Sequence, residues 1–136
     1  MDMNELKAEL VRDEGLRLKP YEDTVGKLTI GVGRNLDDVG LTEEEAGYLL
    51  ENDVGRSMVD LDRNVPWWRS MTDARQRALV NMCFNLGWPR LSQFKNMLAA
   101  LEAGDFERAA AEALDSRWAR QVGQRSARIA AQIREG

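Results

Sequence analysis

Residues 13–33 read Asp13-Glu14-Gly15-Leu16-Arg17-Leu18-Lys19-Pro20-Tyr21-Glu22-Asp23-Thr24-Val25-Gly26-Lys27-Leu28-Thr29-Ile30-Gly31-Val32-Gly33, and the hydrophobic period changes inside this stretch. Upstream of it Met3, Leu6 and Leu10 recur at helical spacing behind Asn4 as a candidate cap, so residues 5–14 are expected to form a helix stopped by Gly15. Glu14 then falls in the last helical turn. Downstream, Pro20 excludes a helix interior, Lys27 to Gly33 alternates with period two, and Val25-Gly26 marks a turn. The expectation is a β-hairpin with Asp23 in its first strand and Thr29 in its second.

Working outward, Thr42 and Glu45 stand at capping-box spacing, with Leu41 placed to staple the helix entry. Ala46, Leu49, Leu50, Val54, Met58 and Leu61 continue the helical period. This predicts a helix of about 20 residues and about 30 Å, ending before Val65-Pro66. Four more helical patterns follow. They run through Leu79, Met82, Cys83 and Leu86 to Gly87, through Phe94, Met97, Leu98 and Leu101 to Gly104, through the alanines after Asp105, and through Ile129 and Ile133. The fold class is α+β and mainly α. Residues 1–136 are read as one domain of two lobes: a small lobe of helix end and hairpin over about 13–41, a connecting helix over about 42–63, and a helical lobe over about 64–136 on which the N-terminal helix packs.

The chain has 136 residues, 43% hydrophobic and 31% charged, enough to bury one core and short for more than one domain. Cys83 is the only cysteine, and it shares a helical face with Leu79, Met82 and Leu86, so it is read as a core residue with no catalytic part. Histidine is absent, which excludes Ser-His-Asp triads, Cys-His dyads and imidazole-ligated zinc. No metal and no cofactor are expected, and the chemistry must run on carboxylates, hydroxyls, Lys, Arg or Tyr. No apolar run is long enough to cross a bilayer, and the amphipathic start with Asp2, Glu5 and Glu9 is unlike a signal peptide, so neither a leader nor stable membrane association is expected. Charge is uneven: 8 basic and 16 acidic residues up to Arg63, then 11 and 7, giving −8 and +4. The cationic half, with Arg117, Arg120, Arg125, Arg128 and Arg134, is suited either to an anionic polymer or to a solvated helix face.

Glu14 lies four residues after Leu10 and eight after Leu6, which places it at the edge of their apolar stripe and at the negative end of the helix dipole. Both settings favour the protonated carboxyl that a general acid needs. In a period-two strand the Thr29 hydroxyl points away from the face of Leu28 and Ile30. A helix-end carboxyl facing a hairpin that presents a carboxylate and a hydroxyl suits glycoside hydrolysis, in which one acid protonates the leaving oxygen and the other assists water or the oxocarbenium-like carbon. Turn Asp and strand Thr are also common for purely structural reasons.

The run Asp13 to Lys19, then Tyr21, Asp23-Thr24, Gly26 and Thr29-Ile30-Gly31-Val32-Gly33, resembles the signature of the T-even phage lysozymes, the glycoside hydrolase family 24 muramidases. The resemblance continues through Asn81-Met82-Cys83-Phe84-Asn85-Leu86-Gly87, Ser116-Arg117-Trp118, Gln121 and Arg125-Ser126-Ala127-Arg128, nearly the whole chain. It implies hydrolysis of the β-1,4 bond between N-acetylmuramic acid and N-acetylglucosamine of bacterial peptidoglycan, with inversion. Glu14 is then the acid, and Asp23 and Thr29 hold the attacking water. It further implies substrate contacts by Gly33, Asn35, Phe84, Gln121 and Arg125, with Arg125 pairing with the catalytic Glu. By the same resemblance the protein is expected to be a monomer made in the host bacterial cytoplasm that reaches the cell wall once the membrane is permeabilised, with a virion-borne role the open alternative.

Three departures accompany the resemblance. Arg34 stands where a familiar member has a histidine, the segment from Asn35 to Gly40 is shorter, as though a hairpin strand and a short helix were missing, and the chain is acidic where relatives are basic. Two other readings stand beside this one. One is a non-catalytic peptidoglycan-binding or structural descendant, against which the joint retention of Glu14, Asp23 and Thr29 argues. The other is a helical nucleic-acid binder, which rests on the arginines alone and is opposed by four tryptophans and the lack of a binding motif.

Overall fold

Asp2, rather than Asn4, caps the first helix: its side chain accepts a hydrogen bond from the Glu5 N–H at 3.1 Å. In this computed structural model, which describes residues 1–136, α1 therefore spans Met3–Glu14. It ends on Gly15, whose φ of +81° turns the chain out of the helix while its N–H still reaches the Val11 carbonyl at 2.9 Å. Contacts divide the chain into two compact units, Met1–Tyr48 and Leu49–Gly136.

In the first unit, β1 (Arg17–Glu22) and β2 (Leu28–Gly31) pair antiparallel, and β2 pairs with a two-residue β3 (Arg34–Asn35). The sheet order is β1-β2-β3, so Thr29 lies in the central strand, opposite Tyr21 on one side and Asn35 on the other. Pro20 lacks an N–H and sits in the edge strand, where the register shifts between Arg17 and Tyr21. Three points differ from the sequence reading. Asp23 follows β1 and belongs to the turn. The strand expected to run to Gly33 stops at Gly31, because Gly31 and Gly33 both take φ of +71° and fold the chain back into β3. The small sheet also keeps a third strand despite the short 35–40 segment.

The connecting helix α2 spans Glu43–Asn64, and the boundary between the two units falls inside it. Its predicted capping box is present: Thr42 Oγ1 accepts from the Glu45 N–H at 3.1 Å, and Glu45 Oε1 from the Thr42 N–H at 2.9 Å.

The second unit carries α3 (Asp73–Leu86), α4 (Trp88–Leu91), α5 (Lys95–Ala103), α6 (Phe106–Leu114), α7 (Arg117–Val122) and α8 (Gln124–Glu135), preceded by a 3-10 turn at Pro66–Ser70. Its core is built from Leu61, Trp68, Leu79, Met82, Leu91, Met97, Ile129 and Ile133. The alanines behind Asp105 have a packing reason. Ala109, Ala110 and Ala113 are fully buried where α6 meets α5 and α8, so small side chains let these helices approach closely. Cys83 is buried in the same core. Its thiol points at the Ser57 carbonyl, and burial, with the nearby Asp60 charge, pushes its pKa up, away from the reactive thiolate.

Candidate active site

Gly33 fixes the surroundings of Glu14. A Cβ at Gly33 would stand 3.4 Å from Glu14 Oε2, an ordinary van der Waals contact, so the carboxyl at the end of α1 lies beside the Gly33 backbone. The positive φ of Gly33 requires glycine at the same point. Glu14 is the last residue of α1, at the negative end of its dipole. The apolar stripe expected to desolvate it is not buried: no side chain of α1 is, and Leu10 is 43% exposed. Glu14 itself is exposed.

Asp23 shapes the hairpin turn as an Asx-type cap. Its Oδ1 accepts from the Val25 N–H at 2.9 Å and the Lys27 N–H at 2.8 Å, while its own N–H donates to the Lys27 carbonyl. Oδ2 is left without a protein partner. Thr29 is 3% exposed, and it is the neighbouring Leu28 that is exposed at 41%, so the strand turns its hydroxyl face inward and its leucine outward. Thr29 Oγ1 donates to the Lys27 carbonyl at 2.9 Å, which leaves the oxygen lone pairs to accept. Lys27 thus joins the two: its N–H meets Asp23 and its carbonyl meets Thr29. The Met1–Tyr48 unit holds two carboxyl groups and an oriented hydroxyl, the set that acid-assisted attack by water requires.

Asn35 is committed locally. Its amide donates to Asp38 Oδ2 at 3.0 Å and accepts from the Asp38 N–H at 2.9 Å, and its carbonyl takes the N–H groups of Val39 and Gly40. In the helical unit Phe84 stays outside the core, 44% exposed, and with Arg125 and Asn81 lines a groove of about 410 Å³. Arg125 donates from Nε and Nη2 to Asn81 Oδ1 at 3.0 and 2.7 Å. Gln121 is exposed on α7 and lines a different cavity of about 620 Å³, with Phe94, Arg117 and Trp118. Phe84 and Arg125 are therefore brought together, and Gln121 is not.

One element escaped the sequence reading. Arg34 donates from Nη1 and Nη2 to the two oxygens of Glu45 at 2.8 and 2.7 Å, and Nη1 also reaches the Gly40 carbonyl at 3.0 Å. The hydrogen bonds from Arg34 and then from the Thr42 N–H lower Glu45 to about 2, and Glu45 in turn raises Arg34. The capping box signalled Glu45, and the substituted histidine position signalled Arg34. Nothing in the local spacing joins them across 11 residues.

A mainly helical α+β chain with this small antiparallel sheet has the lysozyme-like fold. Residues 11–134 match the phage lysozyme family model, and the chain belongs to that family. It is 34% identical over 148 aligned positions to the pre-baseplate central spike protein Gp5 of Enterobacteria phage T4, covering 88% of this chain but only 26% of the spike protein. It is 29% identical to probable T4-type lysozyme 2 of Dictyostelium discoideum, covering 93% and 92% of the two chains. It is also 32% identical to an endolysin of Acyrthosiphon pisum secondary endosymbiont phage 1, covering 74% of this chain and 69% of that one. No helix of the chain is long and apolar enough to cross a membrane. Family membership and the relatives' names support a lysozyme-like function of the glycoside hydrolase class.

Proposed function

We propose that the chain is a muramidase that cleaves the β-1,4 bond between N-acetylmuramic acid and N-acetylglucosamine in bacterial peptidoglycan, with inversion. The observation that carries this reading is the arrangement around Lys27, which leaves Asp23 Oδ2 and the Thr29 lone pairs free to hold a water. Glu14 donates its proton to the glycosidic oxygen as the bond lengthens. Asp23 takes a proton from the water that attacks the anomeric carbon from the opposite face, and Thr29 orients that water by accepting its other hydrogen. Gly33 and the groove residues Phe84 and Arg125 are assigned to glycan contacts, and Gln121 to a separate contact. Residues 1–136, with a small lobe over about 13–41, a connecting helix over about 42–63 and a helical lobe over about 64–136, are proposed to form one catalytic domain that works as a monomer. Its place of action is the cell wall, after permeabilisation of the membrane.

The test is release of reducing ends from purified peptidoglycan, with proton NMR of the first-formed anomer. The α-anomer is expected first, and Glu14→Gln, which removes only the dissociable proton, is expected to abolish turnover while leaving the fold intact. A β-anomer formed first means retention and contradicts the water-holding role of Thr29. A second reading draws on the spike protein, whose printed name is that of a structural component: a descendant that binds peptidoglycan without cleaving it. Binding by the wild type without any release of reducing ends would establish that alternative.

A further inference from the structure

The bidentate Arg34–Glu45 pair has no part in the chemistry proposed above, yet it lies one residue from the backbone against which the acid rests. Gly33 is held between two anchors. On one side it neighbours the Glu14 carboxyl, whose Oε2 lies 3.4 Å from where a Gly33 Cβ would stand, an ordinary contact distance. On the other, Arg34 ties the chain to the first turn of α2 through both oxygens of Glu45 and to the loop through the Gly40 carbonyl. β3 is only two residues long and pairs with β2 at Thr29 and Ile30, too little ladder to fix Gly33 by itself. Glu45 lies in the first turn of α2 and is held there by its capping bond to Thr42. All of these groups belong to the Met1–Tyr48 unit.

We propose that Arg34 and Glu45 are positioning residues for the general acid, holding the Gly33 backbone in the place that orients the Glu14 carboxyl. This rests on the reading of Glu14 as the acid. Because guanidinium stays protonated throughout the working range, the clamp holds at neutral and alkaline pH, where a histidine in the same place would release its partner. The other charged groups nearby are engaged elsewhere or on the same helix turn. Asp37 accepts from the Leu28 N–H, Asp38 from Lys27 Nζ and Asn35, and Glu43 and Glu44 share the first turn of α2 with Glu45.

The experiment measures kcat and KM on soluble peptidoglycan fragments across pH for wild type, Arg34→Met, Arg34→Lys and Arg34→His, with the Gly33 amide followed by NMR. Misplacing the acid in Arg34→Met is expected to lower kcat about tenfold with KM within about twofold, and Arg34→Lys to recover part of the loss. Arg34→His is expected to work near the wild-type rate below about pH 6 and to fall toward the Met variant above about pH 8 as the imidazole loses its proton. The Gly33 amide resonance should move on Glu14→Gln substitution, and that response should weaken in the Arg34→Met background. Should Arg34→Met fail to fold, Arg34→Lys and Glu45→Gln carry the same readouts. A folded Arg34→Met with wild-type kcat and unchanged Gly33 coupling overturns the proposal, as does an Arg34→His profile parallel to wild type. Failure of the underlying reading is separately visible. A wild type that releases no reducing ends, or an active Glu14→Gln, removes the acid, and the clamp's positioning role falls with it.

Discussion

Asp23 serves two purposes that a pair of substitutions separates. Its Oδ1 holds the turn through the Val25 and Lys27 N–H groups, and its Oδ2 is assigned to the attacking water. Asp23→Ala removes both. Two charge-assisted bonds to backbone at a half-buried turn are worth about 1 kcal/mol each, so the variant should lose about 2 kcal/mol. For a chain of this size that corresponds to a melting temperature lower by about 8 °C. Asp23→Asn keeps a carbonyl oxygen where Oδ1 stood and loses only the charge, so about half of that stability loss is expected. Turnover should nonetheless fall by about 10²–10⁴ in both variants, the usual contribution of a positioned base. Calorimetry, hydrogen exchange of the Lys27 amide and reducing-sugar release measure the three quantities independently. Lys27 should remain protected in Asp23→Asn and lose protection in Asp23→Ala. If Asp23→Asn is as active as wild type, the catalytic assignment is wrong. If both variants destabilise equally and both deprotect Lys27, the turn argument is wrong.

Cys83→Ala should retain full turnover while losing about 1 kcal/mol, since it deletes one buried sulfur from the core; a large loss of kcat at unchanged stability, read by calorimetry beside the activity assay, would give the thiol a role in the site. Glu45 has a folded pKa of about 2 against an ordinary 4.5, so the Arg34 pair contributes its full stability above about pH 4.5 and loses it as pH falls toward about 2. The difference in melting temperature between wild type and Glu45→Gln should therefore be constant from about pH 5 to 7 and close toward pH 2, and a gap that does not narrow would assign the effect to the helix cap instead. Asn35→Ala should lower the melting temperature more than it raises KM, because both ends of the Asn35 amide are spent on Asp38; a raised KM at unchanged stability would restore the residue to the glycan site.

The helices with a regular apolar period were legible in their existence and, where a glycine stops them, in their ends: α3 ends before Gly87 and α5 before Gly104. The short elements were not. The 3-10 turn at Pro66–Ser70, α4 at Trp88–Leu91 and α7 at Arg117–Val122 are too brief to show a period, and Pro66 reads as a break although proline is tolerated in a first helical turn. Asp23 was assigned to a strand because it adjoins an extended run, whereas its carboxylate competes for backbone N–H groups and makes the turn itself. Thr29 lies on the face opposite Leu28, as the period-two alternation expects, and it is the Thr29 side that is buried. The residues of the site were identified from the motif that they form, and their surroundings depended on hydrogen bonds that no spacing rule contains.

Those surroundings explain how the two units divide the work. Every buried apolar side chain lies at or beyond Leu61, while in Met1–Tyr48 only Thr29 is buried. The first unit thus lacks a core of its own, and side-chain-to-backbone bonds from Asp23, Thr29, Arg34, Asn35 and Asp37 hold its turns and strands instead. Such bonds are directional and short in sequence reach, so they fix the angle of a carboxylate or hydroxyl closely while adding little to global stability. The helical unit supplies the opposite, a packed apolar core with large buried area and few chemical groups. Truncating Leu79 in that core attacks stability while the hairpin keeps its hydrogen bonds. Replacing one polar atom in the hairpin misaligns the chemistry while the core stays packed. Asp23 and the Thr29 hydroxyl accordingly sit where polar bonds fix their aim, and the packed apolar core that keeps the chain folded lies in the unit without them.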